Sequence, residues 1–288
     1  MMRKQQAKHV IRWLAAANLA VVGLALLPMA GTPVPGAMAQ ERKSIPPKDK
    51  DNPLPELISG YYFTPIKLRA LQDDDFDNPG FISYVPQGEK LWSQVDGAEK
   101  KSCASCHANP AETMRGIGAT YPKFQQAANG VVNLEQRINI CRKDKMKAAT
   151  WPYGSEPMLS MTSFIKLQSR TLPVDVQSDG PAKETFEIGK ALYNTRVGQL
   201  GMSCAHCHND HYGANLRDEV LSQGHSNGFP AFQAKSQRFT SLHERFRNCY
   251  GDMRAQPYDL GSPEMVALEL YLAWRGKGLP VETPAVRR

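Results

Sequence analysis

The sequence predicts a mainly α-helical chain of two tandem domains related by internal duplication, set behind an irregular N-terminal extension. Three observations predict it. The pentapeptide Cys-x-x-Cys-His occurs twice, at Cys103–His107 and Cys204–His208. A glycine-led stretch ending in an aromatic, Gly88–Trp92 and Gly189–Tyr193, begins 15 positions before the first cysteine of each copy. Downstream, Leu134–Cys141 is matched by Leu242–Cys249, and Gly154–Met158 by Gly261–Met265. Features that recur in one order mark a repeat.

The chain has 288 residues and a formal charge of +7. Residues 1–39 read as an export signal. Arg3, Lys4, Lys8 and Arg12 form its basic start, an apolar run follows, and Ala37-Met38-Ala39 is its cleavage site. The apolar run is broken by Asn18, which favours removal over a lasting membrane anchor. Cleavage removes four basic residues and no acidic ones, leaving +3. No stretch pairs basic clusters with aromatics, so nucleic-acid binding is not expected.

Residues 40–86 form the extension, rich in Pro, Lys and Asp, with a helical piece near Ile66–Leu71 and a solvated turn at Asp73–Asp75. Residues 87–168 are the first repeat, and its glycine is expected to let two helices cross closely while Trp92 packs between them. In Leu134–Cys141, Asn133 and Gln136 form a capping pair, and the apolar residues recur four apart as one helix face requires. Residues 169–183, rich in Pro, Gly and Asp, read as a linker. Residues 184–288 repeat the pattern, with Ser241 and Glu244 as the capping pair and Gly251 as the expected helix stop.

Cys-x-x-Cys-His is the attachment site of c-type haem, with two thiols bonding the macrocycle and the histidine ligating iron. Two copies predict two covalently bound haem c groups and a cytochrome c-like fold for each repeat. Cys103, Cys106, Cys204 and Cys207 are the attachment residues, and His107 and His208 the proximal ligands. A zinc ribbon separates its cysteine pairs by about 15–20 residues, whereas Cys106 and Cys204 lie 98 positions apart. Export agrees with haem of this kind, which bacteria attach outside the cytoplasm, and places the protein in the periplasm.

The far side of each iron has several candidate occupants. Met146, Met158, Met161, Met253 and Met265 are available, although Met commonly fills cores. Cys141 and Cys249 lie 34 and 41 positions beyond their histidines, each four residues after an arginine, Arg137 and Arg245. That spacing puts guanidinium and sulfur on one helix face, which favours a thiolate. A disulfide between Cys141 and Cys249 is the bland alternative; it needs Cα atoms within about 7 Å. His206 and His211 flank the second pentapeptide and read as packing or surface residues, and Asp210 and Tyr212 could line a pocket there.

The two pentapeptides, the lone cysteine after each, and above all Glu244–Tyr250 (ERFRNCY) resemble the SoxA family, the dihaem subunits of the SoxAX cytochromes of thiosulfate oxidation. The resemblance covers most of the chain after residue 39. It implies His107 with Cys141, and His208 with Cys249, as the iron ligands, the second sulfur being typically a persulfide. It implies Cys249 and Arg245 as catalytic residues. The implied reaction joins thiosulfate to a cysteine of SoxY in the carrier SoxYZ, with two electrons passing through haem to the monohaem subunit SoxX. Arg247, two positions along the helix, is expected to face solvent. A plain dihaem electron carrier and a dihaem peroxidase are the competing functions.

Overall fold

The computed structural model describes residues 43–288; the export signal and its cleavage point lie outside the described residues. The extension is more ordered than its composition suggests. A short β1 (Ser44–Ile45) pairs antiparallel with β2 (Leu57–Ile58), and α1 (Ile66–Asp73) follows where the helical piece is expected. Asp73–Asp75 are exposed, as a solvated turn requires. Leu54 and Leu57 are buried against Leu279, and each such side chain contributes roughly 1.5–3 kcal/mol. Asn52 Nδ2 donates to the Arg275 carbonyl at 2.9 Å, and Asn78 Nδ2 to that of Pro284 at 3.0 Å. The extension therefore clasps the second repeat.

The first repeat runs through α2 (Val85–Ser93), α3 (Cys103–His107), α4 (Pro110–Thr113), the hairpin β3 (Lys123–Gln125) and β4 (Gly130–Val132), α5 (Leu134–Cys141) and α6 (Glu156–Leu167). The second runs through α7 (Lys183–Asn194), α8 (Cys204–His208), the hairpin β5 (Asn215–Leu216) and β6 (Glu219–Val220), β7 (Ala231–Gln233), β8 (Arg238–Thr240), α9 (Leu242–Asp252), α10 (Pro263–Arg275) and β9 (Ala285–Arg287). β7 is the centre of a three-stranded sheet, antiparallel to β8 and parallel to β9.

Each repeat is pinned by a glycine crossing. A Cβ on Gly88 in α2 would lie 2.3 Å from the Ser160 carbonyl oxygen of α6, and one on Gly189 in α7 would lie 2.0 Å from that of Ala267 in α10. Only hydrogen fits there. The aromatic four residues on is buried at each crossing, with Trp92 against Phe164 and Tyr193 against Tyr271. Trp92 Nε1 donates to the Ala108 carbonyl, and Tyr193 Oη to Asn209 Oδ1, both at 3.1 Å. The aromatics thus hold Ala108 and Asn209, the residues that follow His107 and His208.

Residues 169–183 join the two repeats as a packed segment. Val174, Val176 and Ala182 enter the core of the second repeat, and Val174 N–H donates to the Leu279 carbonyl at 2.8 Å. Gly251 does not stop α9. The helix runs on to Asp252, and Arg254 takes the left-handed conformation at φ 55°, as Lys147 does after Cys141 at φ 54°.

Candidate active site and haem-binding peptides

Each Cys-x-x-Cys-His pentapeptide forms one short helix, entered through a capping box. Ser102 pairs with Ser105, and Ser203 with His206. His206 Nδ1 meets Ser203 N at 3.1 Å and Oγ at 2.7 Å, and His211 Nδ1 meets the His206 carbonyl at 2.6 Å. Both histidines thus shape the peptide, in line with a packing role. Tyr212 packs on the extension, edge-on to Phe63, and Asp210 is exposed.

The capping boxes expected before α5 and α9 are both formed. They start the helices that carry the lone cysteines. Ahead of each pentapeptide a left-handed glycine presses on the end of that helix. A Cβ on Gly97 or Gly198 would lie 2.1 or 2.2 Å from the carbonyl oxygen of Met146 or Met253. Peptide and cysteine helix are therefore held in register in both repeats.

In the first repeat, Cys103 packs into the apolar core with Trp92, Met158 and Phe164. Burial, and next the neighbouring Cys141, push its thiol up to about 11. Burial, then Arg137, lowers the His107 imidazole below its ordinary value. Cys103, Cys141, His107 and Arg137 thus share one electrostatic neighbourhood. In the second repeat, burial and then Cys249 push Cys204 up to about 12 and raise Cys207 as well. His208 is lowered to about 4 by burial, with Arg275 and Arg245 adding to the effect. Cys249 is the largest influence on Arg245 and raises it. Arg245 and Cys249 therefore meet on one face of α9, as the four-residue spacing requires, and Arg247 is exposed.

Cys141 and Cys249 are not joined by a disulfide. Met158, Met161 and Met265 are wholly buried in the two cores. Among the described residues no three His, Cys, Asp or Glu side chains converge on a bare metal ion.

The residues fit a covalently held haem. His208 Nδ1 lies 2.7 Å from the Ser222 carbonyl, which fixes the tautomer and leaves Nε2 for a metal. Gly224, at φ 71°, lies against that ring, where a Cβ would sit 2.8 Å from Cγ. Arg275 Nε and His225 Nδ1 are buried polar atoms without a hydrogen-bond partner behind the same peptide. Two thiols and a neutral imidazole within one short peptide are the donor chemistry that holds haem c.

Sequence reasoning missed two features here. Cys249 lies 41 positions beyond His208, against 34 for Cys141 beyond His107, and the β5–β6 hairpin lies in that longer stretch. It brings Glu219 to 3.9 Å from Arg245. The unequal spacing was the available signal. Arg275, the other feature, gave none, because an arginine ending an apolar helix reads as a solvated cap.

Comparison with known proteins agrees with this geometry. The cytochrome c domain described as SoxA/TsdA matches residues 87–174 and again 188–281. The L-cysteine S-thiosulfotransferase subunit SoxA of Rhodovulum sulfidophilum is 44% identical over 232 residues, covering 81% of this chain and 80% of its own. The chain belongs to the SoxA family. The SoxA subunit of Pseudaminobacter salicylatoxidans is 43% identical over 238 residues, with 82% of this chain and 83% of that protein covered. The crystal structure of SoxXA from P. pantotrophus superposes with a TM-score of 0.81 at 40% identity, covering 86% of this chain and 93% of that one. The family's repeated cytochrome c domain carries haem c, and the mainly helical duplicated fold is the one its members share.

Proposed function

We propose that this chain is the haem-bearing catalytic subunit of an L-cysteine S-thiosulfotransferase, acting in the periplasm after loss of residues 1–39. It carries two haem c groups, on Cys103, Cys106 and His107 with Cys141, and on Cys204, Cys207 and His208 with Cys249. Residues 87–168 and 184–288 are its two haem domains, and residues 40–86 and 169–183 tie them together. A SoxX-type monohaem subunit is its partner, a reading supported by the superposition on SoxXA from P. pantotrophus. A SoxYZ-type carrier supplies the acceptor cysteine.

The net reaction takes a carrier thiol and thiosulfate to a carrier S-thiosulfonate, one proton and two electrons. Bound haem supplies a one-electron acceptor. The chain's own residues do the rest. Arg245 offers a planar fork to the sulfonate oxygens of the dianion. Cys249 forms a bond to the sulfane sulfur as two electrons leave, giving a Cys249 S-thiosulfonate. The carrier thiolate then attacks that sulfane sulfur, takes the thiosulfonate group and frees Cys249, by thiol–disulfide-type exchange.

The pairing of Arg245 with Cys249 on one helix face carries this reading. A plain electron carrier has no need of it. The test is to incubate the purified complex with thiosulfate, carrier and an electron acceptor. The carrier is expected to gain the mass of a thiosulfonate group. An unmodified carrier, with both haems intact, would refute the reading.

A further inference from the structure

Arg275 ends α10 with no exposed surface, yet no carboxylate pairs with it among the described residues. Its Nη1 donates to the Gln223 carbonyl at 2.8 Å, and its Nη2 to the His208 carbonyl at 3.4 Å and to Asn209 Oδ1. Its guanidinium lies 4.5 Å from the centroid of the Tyr193 ring, and its Nε has no partner. Cys204 and His208 both fall within its electrostatic reach. The last helical turn of α10 thus drives a bare positive charge into the backbone that carries the second proximal histidine.

The first repeat makes the contrast. The position matching Arg275 is Gln168, which returns its amide to the Phe164 carbonyl at 3.0 Å. The arginine buried near Cys103 is Arg142, and Asp96 neutralises it at 2.7 Å. One repeat therefore holds a compensated cation and the other an uncompensated one. Even a compensated buried charge is costly to desolvate, so a cation kept here without a partner is matched to negative charge that arrives by another route.

We propose that Arg275 is a positioning residue of the second haem site, clamping the backbone behind His208 and raising the reduction potential of the haem held there relative to the first. This rests on the reading that His208 and Cys249 ligate that haem. A thiolate ligand adds negative charge, and each electron taken up adds one more without a proton. A fixed cation in a low-dielectric site favours the reduced form. The clamp also fixes the His208 and Asn209 backbone, so the imidazole does not swing when the iron changes state.

The experiment is a redox titration of the complete haem-loaded protein, followed by visible absorption and electron paramagnetic resonance, which separates the two haems. In Arg275→Gln the second haem is expected to titrate at more negative potential, with the first unmoved; Arg275→Lys is expected to hold most of the native value. Asn209→Asp keeps the arginine and both acceptor contacts while neutralising it, and is expected to give the same one-sided shift even if Arg275→Gln does not fold. Equal potentials in native protein and Asn209→Asp, or a shift of both haems together, would overturn the inference. The two readings fail apart. A native spectrum with no thiolate-ligated haem refutes the ligand assignment, whereas native ligation with an unmoved potential refutes only the role of Arg275.

Discussion

Two glutamates buried where the repeats meet should answer the same substitution in opposite ways. Glu135 sits in the first turn of α5 and Glu269 in the middle of α10, at 8% and 6% exposure. Glu269 Oε2 accepts from Asn133 Nδ2 at 2.9 Å and from His243 Nε2 at 3.0 Å, and His243 stacks on Tyr153 at 5.4 Å. Burial opposes the Glu269 charge, but the hydrogen bond and charge of His243, with Lys166 and Asn133, outweigh it and lower its carboxyl. Glu135 is raised by burial first and by the Glu269 charge second. Glu269 is therefore the ionised partner and Glu135 the one that keeps its proton. Glu269→Gln removes the charge from a buried hydrogen-bonded pair, at a cost of about 3 kcal/mol, the low end for such losses because the amide still occupies the space. Glu135→Gln replaces the acid that burial holds towards its protonated form by a neutral isostere, and so removes the cost of keeping that proton above its unfolded value; it is expected to be neutral or to stabilise by about 1 kcal/mol. The sign with pH follows. A raised carboxyl contributes stability that is full below its unfolded value near 4.5 and is lost as pH rises towards the folded one. Urea unfolding of the holoprotein at pH 5 and pH 7, followed by far-ultraviolet circular dichroism, measures both effects. Glu135→Gln should lose part of the native decline between those pH values. A Glu135→Gln variant less stable than Glu269→Gln at pH 7 would refute the assignment of charge.

Three further outcomes are expected. Gly189→Ala must push a methyl to within 2.0 Å of the Ala267 carbonyl, and should cost about 3 kcal/mol, read as a lower thermal midpoint of the holoprotein. Arg245→Ala should lower kcat/KM for thiosulfate by about ten- to a hundredfold, the worth of hydrogen bonds to a charged group, with haem content unchanged by pyridine haemochrome assay. Ser241→Ala removes the cap of the helix that carries Arg245 and Cys249, and should cost about 1 kcal/mol in a urea titration.

Much of this architecture was legible because it rests on short-range rules. The capping pairs at Asn133 and Ser241, the glycine crossings and the arginine–cysteine spacing are each written within a few residues. The segments misread are those whose structure comes from distant partners. Val174 and Val176 lie among Pro, Gly and Asp, and they become core through distant partners, among them the Leu279–Val281 segment more than a hundred residues away. Gly251 resembles a helix stop, but the α9 end is set where Met253 meets Gly198 and the Arg254 carbonyl accepts from Gln199 N–H. Arg275 was invisible for the same reason, since nothing near it in sequence announces that its partners are carbonyls of the second haem peptide.

The duplication conserves backbone devices and diverges in charge. Both repeats keep the glycine crossing, the aromatic over the residue after the proximal histidine, the capping box before the cysteine helix and the left-handed residue after it. Those features fix where atoms sit. Among the matched positions that differ are Glu135 and His243, Thr162 and Glu269, and Gln168 and Arg275, to which the second repeat adds Glu219 beside Arg245. Each of these differences changes the charge or polarity at its position, and none alters a crossing or a cap. One scaffold thus repeats a backbone geometry while surrounding it with unequal charge. On the proposed function, two sites alike in shape and unlike in charge would divide labour, one doing chemistry and the other only passing electrons.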